Sequence, residues 1–93
     1  PPLTMGPEFA WTGEALTVRW AADAMTEGVL HYRVPGDAEW NVLSFDEADT
    51  HEATITDLPS MRDVSWYLMW WDHRGATAAE LAGLRSEGWV ETR

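Results

Sequence analysis

The chain contains no cysteine and no lysine, and only six arginines stand against sixteen aspartates and glutamates. Without cysteine, neither a disulfide scaffold nor a thiolate metal site can form. The formal net charge of −10 argues against nucleic acids and anionic membranes as partners, because both attract basic surfaces. The length of 93 residues suits one domain.

Long apolar segments and catalytic motifs are missing as well. The longest apolar run, residues 66–71, is far shorter than the ~20 residues that a membrane-spanning helix needs, and no signal peptide is recognisable. The chain has no nucleophile elbow, no phosphate-binding loop and no HExxH zinc motif. We therefore expect no catalytic residues, no cofactor and no enzymatic activity.

The histidines and one acidic segment are the only candidates for a metal site. His31, His51 and His73 lie on three separate segments without the spacing of a zinc site, so they are expected to be surface residues. Residues 46–49 (DEAD) are acidic but lack the spacing of a calcium-binding loop, which favours a solvated loop. No metal site is predicted.

Aromatic residues are abundant: seven tryptophans, two tyrosines and two phenylalanines supply the large side chains that a small core requires. Apolar residues alternate with polar ones along several segments, which is typical of half-buried strands. Three prolines and a glycine among the first seven residues predict an irregular lead-in over residues 1–8. Strands are predicted at 9–11, 15–21, 29–34, 40–45, 51–56 and 64–71, with turns at 12–14, 23–28, 35–37, 46–49 and 72–75.

Six short strands separated by turns predict an all-β fold, a two-sheet antiparallel β-sandwich over residues 9–76. The C-terminal segment, residues 77–93, has a different pattern. Thr77 and Glu80 have the spacing of a capping box, which favours a short helix over residues 78–85. Residues 89–92 are the alternative, a last strand.

Three segments resemble a fibronectin type III or related immunoglobulin-like domain. Residues 16–20 (LTVRW) resemble its second strand with a buried Trp, and residues 30–34 (LHYRV) its third strand with a core Tyr. Residues 51–59 (HEATITDLP) resemble its fifth strand and Leu-Pro corner, before an aromatic sixth strand. Val64 departs from the pattern, because the family usually has a Tyr there. The pattern is also similar to the amino-terminal domain of purple acid phosphatases and to sandwich modules of phage virion proteins.

This resemblance implies a non-enzymatic interaction module within a larger extracellular or virion assembly, such as a phage capsid or tail. Two alternatives stay open at this point. One is a carbohydrate-binding accessory domain of a secreted enzyme. The other is the amino-terminal cap domain of a metallophosphatase.

The predicted sixth strand is apolar on both sides. Counted from the Leu-Pro corner, its core-facing residues are Val64, Trp66, Leu68 and Trp70. In the family this strand lies beside the third, whose outward residues include Val29 and His31. We therefore predict a partner-binding patch of Val29, His31, Tyr67, Met69 and Trp71.

Such a patch is expected to be covered, because burying one large apolar side chain is worth ~1.5–3 kcal/mol. Three covers are considered. The C-terminal segment can fold back and place Leu81, Leu84 and Trp89 on the patch. A protein partner or a second copy of the chain can dock there, or a carbohydrate can stack on the aromatic rings. The remaining candidates for exposure, Trp11 and Trp40, are assigned to core or edge packing.

Overall fold

The computed structural model describes residues 2–12, 15–58, 63–72 and 79–85, and this part of the chain contains strands and no helix. All strands belong to one antiparallel sheet, so the predicted all-β antiparallel class is confirmed. The strands are β1 (Leu3–Thr12), β2 (Ala15–Arg33), β3 (Asn41–Ile55), β4 (Val64–Asp72) and β5 (Ala79–Arg85).

The long strand β2 is the centre of the sheet. Strand β3 pairs with both halves of β2, for example through Val18 with Ala53 and Leu30 with Leu43. The other edge of β2 is shared: β1 pairs with its first half and β4 with its second half. Strand β5 then pairs with β4. The pair β2–β3 is therefore a long hairpin that carries different neighbours at its two ends.

The turns predicted at residues 23–28 and 46–49 are wrong, because both segments lie inside strands β2 and β3. Here the pairing of β2 with β3 changes register twice, on either side of Thr26. Such irregularities insert extra residues on one strand, bend it and increase its twist. The polar residues and the glycine in these segments thus mark a bend of the whole hairpin, and four predicted strands merge into two.

An aromatic cluster fills the inside of this bend. The fully buried indole of Trp20 stacks on His51, with 3.9 Å between ring centroids and 17° between planes. Phe45 meets Trp20 edge to face at 5.4 Å, and Trp70 lies at 6.4 Å. These contacts join side chains from β2, β3 and β4 into one core.

A second aromatic contact closes the core at the other end of the sheet. Phe9 of β1 and Trp66 of β4 belong to strands that do not pair, yet their ring centroids are 5.2 Å apart. This contact brings side chains of β1 and β4 into one core. Its buried members are Phe9, Leu16, Val18, Trp20, Leu30, Val34, Phe45, Ile55, Val64, Trp66, Leu68 and Trp70.

The irregular lead-in predicted for residues 1–8 is wrong from Leu3 onward, where β1 begins. Pro7 lies between Met5 and Glu8, where the register of β1 against β2 already shifts. A proline without an amide proton is tolerated at such a position, and β1 is an edge strand. Gly6 has φ +79°, and a Cβ there would overlap the carbonyl oxygen of Arg19, so the close approach of the two strands requires glycine.

The turn predicted at residues 35–37 is confirmed. Pro35 and Gly36 occupy its two central positions, and Gly36 has the positive φ of 101° that a type II turn needs there. The amide of Asp37 donates to the carbonyl of Val34 at 3.1 Å. The Asp37 carboxylate in turn accepts from the Val34 amide at 3.2 Å, which ties the loop to the end of β2.

The helix predicted over residues 78–85 is wrong for residues 79–85, which form strand β5. A helix of this length is marginal in water, and Gly83 weakens it further. The open edge of β4 offers backbone partners along the whole segment, from Val64 with Arg85 to Trp70 with Ala79. Tertiary pairing thus overrides the helical composition. The alternative last strand at residues 89–92 lies outside the described residues.

Replacing Gly28 with alanine is expected to destabilise the protein. An added Cβ would lie 2.5 and 2.7 Å from Cζ2 and Cη2 of Trp20 and 3.1 Å from the carbonyl oxygen of Met69. Overpacking of this kind costs about 1–3 kcal/mol. Urea unfolding followed by tryptophan fluorescence measures the loss. In a Trp20→Phe background, whose ring is shorter, the same alanine should cost less than half as much. An equal cost in both backgrounds would show that the Trp20 ring is not the obstacle.

Candidate functional site

Strand β4 has one buried face and one half-buried face. Val64, Trp66, Leu68 and Trp70 are buried, which confirms the predicted parity of this strand. The alternate residues are half-buried, although three of these four have large apolar or aromatic side chains. They are Ser65, Tyr67, Met69 and Trp71. The strand therefore presents a second apolar face on the outside of the sheet.

Pairing of β4 with β2 brings the predicted patch together, and the expectation that these two segments are neighbours is confirmed. Val29 lies opposite Met69, and His31 lies opposite Tyr67. All five predicted residues are half-buried. We call this set, Val29, His31, Tyr67, Met69 and Trp71, the outer patch.

The rings at the centre of the outer patch pack against one another. His31 and Tyr67 stack with 4.2 Å between centroids and 8° between planes. Trp40 meets Tyr67 edge to face at 4.9 Å and 79°. The guanidinium of Arg33 lies 4.5 Å from the centre of the Trp40 ring, a cation–π contact. These contacts hold the aromatic side chains in fixed positions.

Trp40 is not a member of the core. It directly precedes β3, which is an edge strand, and its ring lies against the outer patch. The confirmed turn at residues 35–37 is the signal that points to it, since that turn leads the chain back alongside β2. Trp11, by contrast, packs against the core, as predicted.

Sequence reasoning also missed Val42, which is 60% exposed and lies opposite His31 on the β3 side. Leu43 packs against the core and Phe45 is buried. Alternation along β3 therefore turns Val42 outward. It extends the outer patch across a third strand.

Trp71 is held at the other end of the outer patch by a polar contact. Its indole N–H donates to Oε2 of Glu27 at 3.0 Å, and the two residues are paired across β2 and β4. The carboxylate fixes the ring and places a negative charge beside it.

The outer face of the other half of the sheet is polar. Arg19 donates to Glu52 at 2.9 Å in an exposed ion pair, and the hydroxyls of Thr17 and Thr54 lie 3.2 Å apart. Both outer faces meet solvent in the isolated chain, yet only the face with the outer patch is apolar. General solubility does not account for this difference.

The predicted internal cover is wrong in its described part. Residues 79–85 lie in the plane of the sheet beside β4, where Leu81 pairs with Leu68 and Leu84 pairs with Ser65. Their backbone continues the sheet beside β4 and does not cross the outer patch. Trp89 lies outside the described residues.

His51 is buried, so the expectation of a surface histidine is wrong there, whereas His31 is half-buried on the outer face of the sheet. His73 lies outside the described residues. The Thr26 hydroxyl donates to the carbonyl of Ala48 at 3.2 Å and is therefore free to accept from Nε2–H of His51, also at 3.2 Å. Thr26 and His51 are both buried, so their hydrogen bond stabilises the bend from inside the core.

Among the described residues, no group of three or more histidines, aspartates and glutamates is placed to hold a metal ion. The same part of the chain has no helix with the length and apolar character needed to cross a membrane. Compared with known protein families, with curated proteins and with solved structures, the chain matches none of them.

Protonation of His51 is expected to destabilise the fold. Burial lowers the pKa of His51 below its ordinary 6.5, against smaller opposite effects from Ala48, Thr26 and Asp49. The unfolded chain therefore binds the proton more tightly, and the free energy of unfolding decreases as the pH falls below about 6.5. The slope from one such group is at most about 1.4 kcal/mol per pH unit.

A His51→Phe variant isolates this effect, because it keeps an aromatic ring on Trp20 and does not titrate. Urea unfolding of both proteins is measured between pH 5 and pH 8. The stability of the native chain relative to the variant should decrease on acidification below pH 6.5 and stay level above it. A difference that does not change with pH would contradict a neutral buried His51.

Proposed function

We propose that this chain is a non-enzymatic, fibronectin type III-like interaction module that docks a protein partner through the outer patch. As the resemblance implies, its setting is a larger extracellular or virion assembly. The observation that carries the proposal is the asymmetry of the two outer faces, of which one is polar and the other apolar and aromatic.

The strand pairing supports the family resemblance. In immunoglobulin-like domains the first, second and fifth strands form one layer, and the third, sixth and seventh form the other. Here β1, the first half of β2 and the second half of β3 pair in that way. The second half of β2, β4 and β5 pair as the other layer does. A bent hairpin joins these two groups of strands, and this arrangement supports a two-layer sandwich built from one continuous sheet.

The composition of the outer patch supports a protein partner. Tyr, Trp and Met are enriched in the cores of protein interfaces, and Tyr and Trp dominate their binding energy. The rings of His31, Tyr67 and Trp40 pack against one another in the chain without a partner. Binding to an ordered surface costs less side-chain entropy than binding to a mobile one.

The ring geometry favours a protein over a carbohydrate. Sugars stack on the open face of an aromatic ring. In the outer patch, the rings of His31 and Tyr67 stack on each other, so each ring covers one face of the other. The Arg33 guanidinium covers one face of Trp40. Soluble oligosaccharides should therefore leave tryptophan fluorescence unchanged, whereas quenching by them would favour the carbohydrate-binding alternative.

Substituting Val42 with glutamate is expected to abolish docking. Val42 is the most exposed apolar residue beside the outer patch, so a charge there should block a partner without disturbing the core. The native chain is panned against a displayed library of random 12-residue peptides, and the recovered peptides are titrated by fluorescence anisotropy. We expect Val42→Glu to weaken them at least tenfold, about 1.4 kcal/mol.

Ala10→Glu is the matched control, because it places the same charge at an exposed position opposite Thr17 on the polar outer face. It should leave the affinities within twofold, and both variants should unfold at the urea concentration of the native chain. Peptides that bind Val42→Glu as tightly as the native chain, or no binders at all, would refute docking through this face. Sedimentation equilibrium of the chain alone tests whether a second copy is the occupant.

A further inference from the structure

We infer that the occupant of the outer patch is a basic protein segment, with one aromatic or aliphatic anchor flanked by arginine or lysine side chains. This inference rests on the docking role proposed above and adds the chemistry of the partner. It follows from the charges that surround the outer patch.

Carboxylates border the outer patch at both ends. Glu27 is held against Trp71 at one end by the hydrogen bond from the indole. At the other end, Asp37 and Asp63 line an open depression together with Arg33 and Ser65. Arg33 also contacts Trp40, whose ring meets Tyr67 edge to face. Two further exposed carboxylates are close to this face in the chain. Glu39 precedes Trp40, and Asp46 lies on β3 four residues after Val42, on the same side of the strand by alternation.

The described arginines with placed side chains offset this charge only in part, because Arg33 alone lies near the outer patch. Arg19 is paired with Glu52 on the opposite outer face. Arg33 lies over the Trp40 ring, among the carboxylates of the depression. The surface therefore combines an apolar centre with a negative border, which is complementary to an apolar anchor with positive neighbours.

A second copy of this chain is a poor occupant for the same reason. A two-fold interface would bring identical surfaces together, so the acidic borders would face each other. Each copy also carries a formal net charge of −10, and that repulsion opposes association. The negative charge thus favours a basic partner and disfavours self-association.

The test uses the peptides recovered by the native chain from the random 12-residue library. We expect them to be enriched in arginine and lysine around an aromatic or aliphatic residue. Replacing their basic residues with glutamine should lower affinity at least tenfold. Raising the salt concentration from 50 to 500 mM should lower it by a similar factor, because exposed charges are screened.

Two variants of the chain distinguish the effect of the carboxylates near the outer patch from the effect of the net charge of the whole chain. The double substitution Glu39→Lys and Asp46→Lys should weaken the basic peptides at least tenfold and reduce their salt dependence. Glu52→Lys, on the polar outer face, should change affinity less than twofold. Val42→Glu adds a negative charge, so peptides held by charge alone would bind it more tightly, and that result would overturn an anchored docking mode.

The outcomes also separate this inference from the docking role on which it rests. In one contrary outcome, the recovered peptides lose affinity for Val42→Glu and yet are neutral or acidic, or bind equally well at high salt and to the lysine variants. Such peptides would refute the basic partner and leave the docking role intact. Peptides that do not depend on the outer patch at all would refute both.

Discussion

The packing of Trp20 inside the bent hairpin is the constraint on which the rest of the structure depends. Its indole stacks on His51 from β3 and leans on Gly28, eight residues further along its own strand. Two residues of one strand of nineteen residues can contact each other in this way only if the strand bends. At position 28 only a glycine leaves space for the Trp20 ring. The bend therefore requires a large ring at one position and no side chain at the other, with the buried hydroxyl of Thr26 beside them.

The bend determines what lies on the surface. It turns the second half of β2 so that one face of β2 and β4 joins the core and the other faces outward. In the first half of the sheet, the outer face carries the Arg19–Glu52 ion pair and the contact between the hydroxyls of Thr17 and Thr54. The second half carries stacked aromatic rings there instead. A domain that bends in this way has two outer faces of independent chemistry, and only one of them is suited to docking.

The sequence predicted the local features well and the connections poorly. The position of residues 64–71 relative to the Leu-Pro corner was enough to identify the buried face of β4, and the proline and glycine at residues 35–36 were enough to identify a turn. Residues 23–28 carry the same kinds of residue but bend rather than turn, because a register shift and a tight turn favour similar side chains. Residues 79–85 have a helical composition, yet the open edge of β4 decides their conformation.

The sequence by itself determined the all-β class, the charge, and which residues of β4 share a face. Each of these follows from composition or from the two-residue period of a strand, both of which are local properties. Only the tertiary structure decided that Trp40 and Val42 adjoin the outer patch, that His51 is buried, and that four predicted strands are two. Those facts depend on which distant segments pair and in what register, and an alternating pattern is satisfied equally well by many registers.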